Sequence, residues 1–126
     1  MGMIISFAAG GALGALARYA VMTRAGQLFG LGFPVGTLVV NFTGSFILGA
    51  LIELMALKWS PSEEMRAFLV GGVLGSFTTF STFSLDVVVM IERGAYWLVA
   101  IYVAASVVVS VAALFAGMSL FRWILA

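Results

Sequence analysis

Between Phe77 and Ser84 the chain reads Phe-Thr-Thr-Phe-Ser-Thr-Phe-Ser, which packs five hydroxyls and three aromatic rings into one short stretch. Two further polar rows run elsewhere. Thr37, Asn41, Ser45 and Gly49 recur at every fourth position, and so do Tyr102, Ser106 and Ser110. On a helix that spacing places each row along one face. Hydroxyls and an amide N–H are the donors that can replace the water around a small anion. A track of full positive charges would hold the anion too tightly to release it. For any single hydroxyl the plainer role is helix–helix adhesion. Asn41, two aligned rows and the hydroxyl-rich run together favour a pathway. Phe80 and Phe83 flank Ser81 and Thr82. Packing is their ordinary use. A ring is positive at its edge, however, and edges turned into a narrow pore would meet an anion without a formal charge.

Much other chemistry is excluded. The chain has no cysteine and no histidine. This removes disulfides, thiol chemistry, the usual zinc, haem and iron–sulfur ligands, and Ser–His or Cys–His catalysis. No nucleophile–base pair can be assembled, so no enzyme is expected. Six basic residues against five acidic give a net charge of +1, which leaves no nucleic-acid footprint. The carboxylates lie away from the centres of the first, second and fourth apolar runs. Glu53 lies close to the end of the second, and Asp86 precedes Arg93 by about two turns. Both read as vestibule or ion-paired residues. Arg18, at the inner edge of the first run, is placed either to draw anions towards a mouth or to snorkel to headgroups.

The elements that carry these residues follow from composition. Of 126 residues 63% are hydrophobic and 9% charged, and the mean hydropathy is +1.21. Soluble domains carry about 25% charged residues, so this chain must face lipid. A helical span needs roughly 20 apolar residues. Four spans, at about 3–22, 34–57, 62–93 and 96–122, make one all-α transmembrane domain of residues 1–126. The first lacks a basic n-region, which argues against a cleaved signal peptide. A Gly-rich stretch, 24–33, interrupts the pattern before Pro34, which suits a first helical turn. Lys58-Trp59 reads as an interfacial belt. Ser60, Pro61 and Glu63 read as N-cap, N1 and N3 of a capping box. Gly94 closes the third span, and Tyr96-Trp97 and Arg122-Trp123 mark interfaces again.

The third span is expected to break mid-membrane. Gly71, Gly72 and Gly75 lower its helix propensity, and the hydroxyls that follow compete for backbone hydrogen bonds. Non-helical backbone at membrane depth survives only in protein or beside a polar cavity, and such broken helices often hold ions. The alternative is a continuous helix whose hydroxyls bond back to carbonyls one turn earlier.

Charge placement bears on topology. With four spans, Lys58, Arg66 and Arg122 fall on one side, and Arg18, Arg24 and Arg93 on the other. Orientation follows a Lys/Arg excess, and here there is none. The chain is therefore expected to insert both ways up, and oppositely inserted copies would pair as an antiparallel homodimer, mimicking inverted repeats. A weaker cue that fixes one orientation is the alternative.

The sequence resembles the CrcB/Fluc family of small bacterial fluoride channels over essentially its whole length. The anchors are Gly10-Gly11-Ala12-Leu13-Gly14-Ala15 leading to Arg18-Tyr19, Gly36-Thr37-Leu38-Val39-Val40-Asn41 with Gly44-Ser45-Phe46, and above all Gly71 to Ser84. The resemblance implies a dual-topology antiparallel dimer with two fluoride pores in the bacterial inner membrane. It implies that Asn41, Phe80, Phe83, Ser81, Thr82, Tyr102, Ser106 and Ser110 line the fluoride pathway and that Arg18 belongs to the vestibule. It further implies a structural sodium ion at the dimer centre, held by the backbone carbonyls of Gly75 and Thr78 from each copy. Ser76 stands where many members have Gly, and Asp86 near a position where some have Glu; no role is carried onto Asp86.

The expected function is passive, fluoride-selective export that confers fluoride resistance. The competing reading is a small dual-topology, proton-coupled multidrug exporter. It would want a glutamate in the middle of the first span, where residues 12–17 hold none. A structural membrane subunit without transport leaves Asn41 and the hydroxyl run unexplained.

Overall fold

The computed structural model describes residues 1–126 and is all-helical. Four stretches are long and apolar enough to cross a membrane. The elements are α1 (Gly2–Phe29), α2 (Val35–Leu57), a third stretch in several pieces, and α6 (Tyr96–Leu125). The third stretch consists of α3 (Glu63–Arg66), a wide-turned π segment (Ala67–Leu74), α4 (Gly75–Phe77) and α5 (Ser81–Glu92).

Four boundaries differ from those read in the sequence, the simplest being that α6 runs on to Leu125 rather than ending near residue 122. α1 runs on through the Gly-rich stretch to Phe29 rather than ending near residue 22. A single interior glycine, Gly26, costs a helix only about 1 kcal/mol. The helix stops where a left-handed residue is required, at Gly30 with φ 75°. Pro34 is the residue before the first turn of α2, not a member of it. The cap of the third stretch is Ser62 rather than Ser60. Its hydroxyl accepts the Met65 N–H at 3.1 Å, and Glu63 and Glu64 sit in the first turn, where negative charge suits the helix dipole. Ser60-Pro61 stays outside the helix. Gly94 closes α5 with φ 74°, as expected.

The helices approach closely through small residues. α2 packs chiefly on α6, and α1 on the π segment. A Cβ on Gly49 would collide with the Leu114 carbonyl, and one on Gly117 with the Phe46 carbonyl. Gly10 and Gly72 lie backbone to backbone in the same way. Lipid offers no hydrophobic reason for helices to associate, so such close van der Waals approach is what holds them. Only 19 of 126 residues are buried, and Leu16, Tyr19, Phe80, Trp97, Val108 and Trp123 are largely exposed. An apolar surface this extensive suits lipid or a second chain rather than water.

Candidate functional site

The third stretch loses its helix at Thr78–Phe80. Thr78 is extended (φ −84°, ψ 158°), and helix resumes at Ser81. The local sequence supplies both tendencies read from it. Thr78 and Ser84 bond back to the carbonyls of Leu74 and Phe80 at 2.9 and 3.0 Å, as in a continuous helix. Thr79 does not. Its N–H donates to Asn41 Oδ1 at 2.8 Å, and its carbonyl accepts from Asn41 Nδ2 at 3.0 Å. The Asn41 amide thus replaces the backbone partners that the interrupted helix withholds from Thr79. The Thr79 hydroxyl in turn accepts the Thr82 N–H at 3.1 Å and restarts the helix as a side-chain cap.

The Gly75 and Thr78 carbonyls are free at the interruption. Neither receives the amide four residues on, because the Thr79 N–H goes to Asn41 and the Thr82 N–H to the Thr79 hydroxyl, and no side chain donates to them. The neighbouring Ser76 carbonyl is taken by Arg18, whose Nε donates at 3.0 Å. Gly44 of α2 lies directly against the Thr78 methyl, where any larger residue would displace the extended segment.

An open cavity of about 440 Å³ lies beside this segment. Asn41, Gly44, Ser45 and Leu48 line it from α2, and Leu74 and Gly75 from the preceding helix. Thr78, Thr79, Phe80 and Phe83 close one side, and Ser106, Val107, Ser110 and Val111 of α6 the other. No charged residue lines it. The hydroxyls of Ser106 and Ser110 are buried and have no hydrogen-bond partner within the chain. A buried hydroxyl left without a partner costs free energy, so these two atoms are where a ligand or water is wanted.

The expected pathway residues divide into two groups. Asn41, Phe80, Phe83, Ser106 and Ser110 meet at the cavity. Ser81, Thr82 and Tyr102 do not line it. Ser81 is exposed, with its hydroxyl 3.4 Å from that of Thr79. Tyr102 is fully buried one turn before Ser106. The aromatic side chains form a continuous row: Phe80 to Phe83 at 5.3 Å, Phe83 to Tyr102 at 5.1 Å, and Tyr102 to Phe33 at 5.5 Å between ring centroids.

The carboxylates occupy different settings. Glu53 is buried and paired with Arg122 at 2.7 Å, in keeping with an ion-paired reading. Asp86 is not paired with a cation. Its Oδ2 accepts the hydroxyls of Thr37 and Tyr102, both at 2.8 Å. Sequence separation from Arg93 gives only distance along the helix, whereas the direction of the Asp86 side chain depends on which neighbours α5 faces. The available signal was that Asp86 follows Phe83 by three positions and so shares its face.

The family model described as "CrcB-like protein, Camphor Resistance (CrcB)" matches residues 5–118. The chain is 54% identical over 122 residues to a protein of Rhodospirillum centenum named fluoride-specific ion channel FluC, covering 97% of each. It is 56% identical over 115 residues to the protein of that name in Agrobacterium fabrum, covering 91% of this chain and 92% of the relative. A third relative of the same name, from a Chelativorans species, is 53% identical over 116 residues.

Proposed function

The chain belongs to the CrcB family, and from that membership we propose that it is a fluoride-selective channel that lets fluoride leave the bacterial cytoplasm passively. It is a multi-pass protein of the inner membrane. The observation that carries the reading is the uncharged cavity where Asn41, Phe80 and Phe83 face the unpartnered hydroxyls of Ser106 and Ser110. A small, strongly hydrated anion needs donors to replace its water, and these are donors without full charge. The rim of Phe80, which is 77% exposed, is free to turn its edge to an ion. Outward movement needs no coupling ion. A negative-inside potential drives each anion out by about 2.3 kcal/mol per 100 mV.

The finer features belong to the same proposal. The interruption at Thr78–Phe80 lies within the membrane, where Asn41 satisfies the Thr79 peptide and the cavity borders the rest. Ser81 and Thr82 complete the path in an assembly rather than within one chain, and Arg18 lies at its vestibule. Two chains inserted in opposite senses pair across the exposed apolar surface, in line with the equal split of basic residues. The free carbonyls of Gly75 and Thr78 suit a hard cation, because they are oxygen donors that the helix has released. A sodium ion bound by these carbonyls in both copies would supply a fixed positive charge that ties the interrupted segments together.

Fluoride efflux from liposomes containing the purified protein, followed with a fluoride electrode, is the test. Rapid fluoride efflux with no matching chloride efflux is expected. Equal efflux of the two halides defeats the selectivity, and no efflux of either defeats the channel.

A further inference from the structure

Both polar rows end at one carboxylate. Thr37 begins the α2 row one turn before Asn41, and Tyr102 begins the α6 row one turn before Ser106. Both residues are fully buried. Their hydroxyls converge on Oδ2 of Asp86, each at 2.8 Å, and Asp86 stands one turn beyond Phe83 on α5. Three helices are thus tied at the point where the track leaves the cavity. The groups facing Asp86 are two hydroxyls, with the Met22 sulfur beyond Thr37 at 3.9 Å. No arginine or lysine reaches it, since the chain's one ion pair is Glu53–Arg122.

A carboxylate at the end of an anion path is an obstacle twice over. It repels the anion, and it already holds the two donors the anion needs. Hydrogen bonds from hydroxyls to an ionised acceptor are about twice as strong as neutral ones. An anion reaching Tyr102 or Thr37 must compete with a carboxylate for the same proton donor. Fluoride, small and a strong acceptor, forms hydrogen bonds that rival those of a carboxylate. Chloride, larger and with its charge more diffuse, does not. Selectivity of this kind is built from a cost imposed on the wrong ligand as well as from contacts to the right one.

We propose that Asp86 is a specificity-determining residue. It holds the Thr37 and Tyr102 hydroxyls closed across the end of the polar track, and only an anion able to displace it as their acceptor passes. The exchange conserves both O–H bonds: each hydrogen bond to Asp86 is given up as one to the anion forms, and the carboxylate takes them back when the anion leaves. This inference rests on the fluoride-channel reading and adds the origin of its discrimination against chloride.

Asp86 is the only aspartate in the chain, so uniform labelling with carbon-13 aspartate marks it alone. Infrared difference spectra of the labelled wild-type protein in lipid, recorded on replacing an inert anion by fluoride or chloride, read the exchange directly. Fluoride should shift the labelled carboxylate stretch, and an equal concentration of chloride should leave it in place. No fluoride-specific shift overturns the proposal. In liposomes Asp86→Asn should raise the chloride-to-fluoride efflux ratio at least tenfold, whereas a merely structural role would lower fluoride efflux and leave the ratio unchanged. An unchanged ratio in a folded Asp86→Asn protein overturns the proposal as well. Wild-type fluoride efflux, measured alongside, separates this failure from failure of the channel reading itself.

Discussion

Asn41 binds both polar groups of the Thr79 peptide, accepting its N–H at 2.8 Å and donating to its carbonyl at 3.0 Å. One amide on α2 thereby takes the place of two missing helical hydrogen bonds on a different span. The same residue lines the cavity, so the side chain that shapes the interruption also stands beside the proposed ion. Asparagine is suited to this because its amide presents an acceptor and a donor side by side, matching a peptide group edge to edge.

Asn41→Leu should therefore do more than remove a donor from the cavity. It leaves the N–H and the carbonyl of Thr79 without partners, at about 1–3 kcal/mol for each buried group. Asn41→Asp keeps the acceptor but loses the donor and sets a negative charge against the Thr79 carbonyl and beside the cavity. Reversible unfolding in mixed micelles should place both variants below wild type, and both should lose fluoride efflux. A Leu variant as stable as wild type would show that Asn41 is not holding the segment.

Phe80→Ile and Phe83→Ile should separate ion contact from packing. Phe80 is largely exposed and Phe83 packs between Phe80 and Tyr102. Isoleucine supplies apolar volume without a positive ring edge. Each substitution should cut fluoride efflux at least tenfold. Phe83→Ile, which loses two aromatic pairs, should lower stability more than Phe80→Ile, which loses one, at about 0.5–1.5 kcal/mol for each pair. Unchanged efflux in both variants would return the rings to a packing role.

The glycines give a prediction about helix approach that is independent of transport. Gly49→Ala and Gly117→Ala each place a methyl into a backbone carbonyl of the facing helix. Overpacking of this kind costs about 1–3 kcal/mol when the backbone must move. Gly32→Ala meets nothing within 4 Å and should be silent. Thermal unfolding in detergent checks the contrast, and equal melting of all three would disprove the close α2–α6 approach.

Glu53 and Arg122 should respond unequally. The Glu53 side chain is 8% exposed, whereas that of Arg122 is 61% exposed. Arg122→Gln leaves a buried charge unpaired, and Glu53→Gln leaves only a solvated arginine. The first should destabilise more than the second in the same unfolding assay. The reverse order would mean that Glu53 has another partner in the assembly.

How far the sequence could be read is clear at particular residues. Four spans, and an interruption after Gly75, follow from hydropathy, glycine and hydroxyl content, which are local properties. Asn41, Ser106 and Ser110 share a cavity because a fourfold spacing fixes a helical face whatever the neighbours are. The partner of Asp86 was not legible, because nothing local distinguishes a carboxylate aimed at two hydroxyls from one aimed at an arginine. The extension of α1 past Met22 is hidden in the sequence for a related reason. A glycine-rich stretch weakens a helix, but the hydrogen bonds of a helix already begun carry it on to the first residue that needs a positive φ.

The even distribution of basic residues gives the last prediction. If Lys58, Arg66 and Arg122 balance Arg18, Arg24 and Arg93 across the membrane, a reporter fused to the C-terminus should appear on both sides. Adding two lysines after Ala126 tips the balance, because that end then carries the excess that the cytoplasm retains. This variant should insert one way only, lose the opposite partner and lose most of its fluoride efflux. Removing charge from the same side, by Lys58→Gln with Arg66→Gln, should bias insertion the other way. Co-expression of the two biased chains should restore efflux, since each supplies the orientation the other lacks. If each biased chain alone conducts as well as wild type, function does not need two opposed copies.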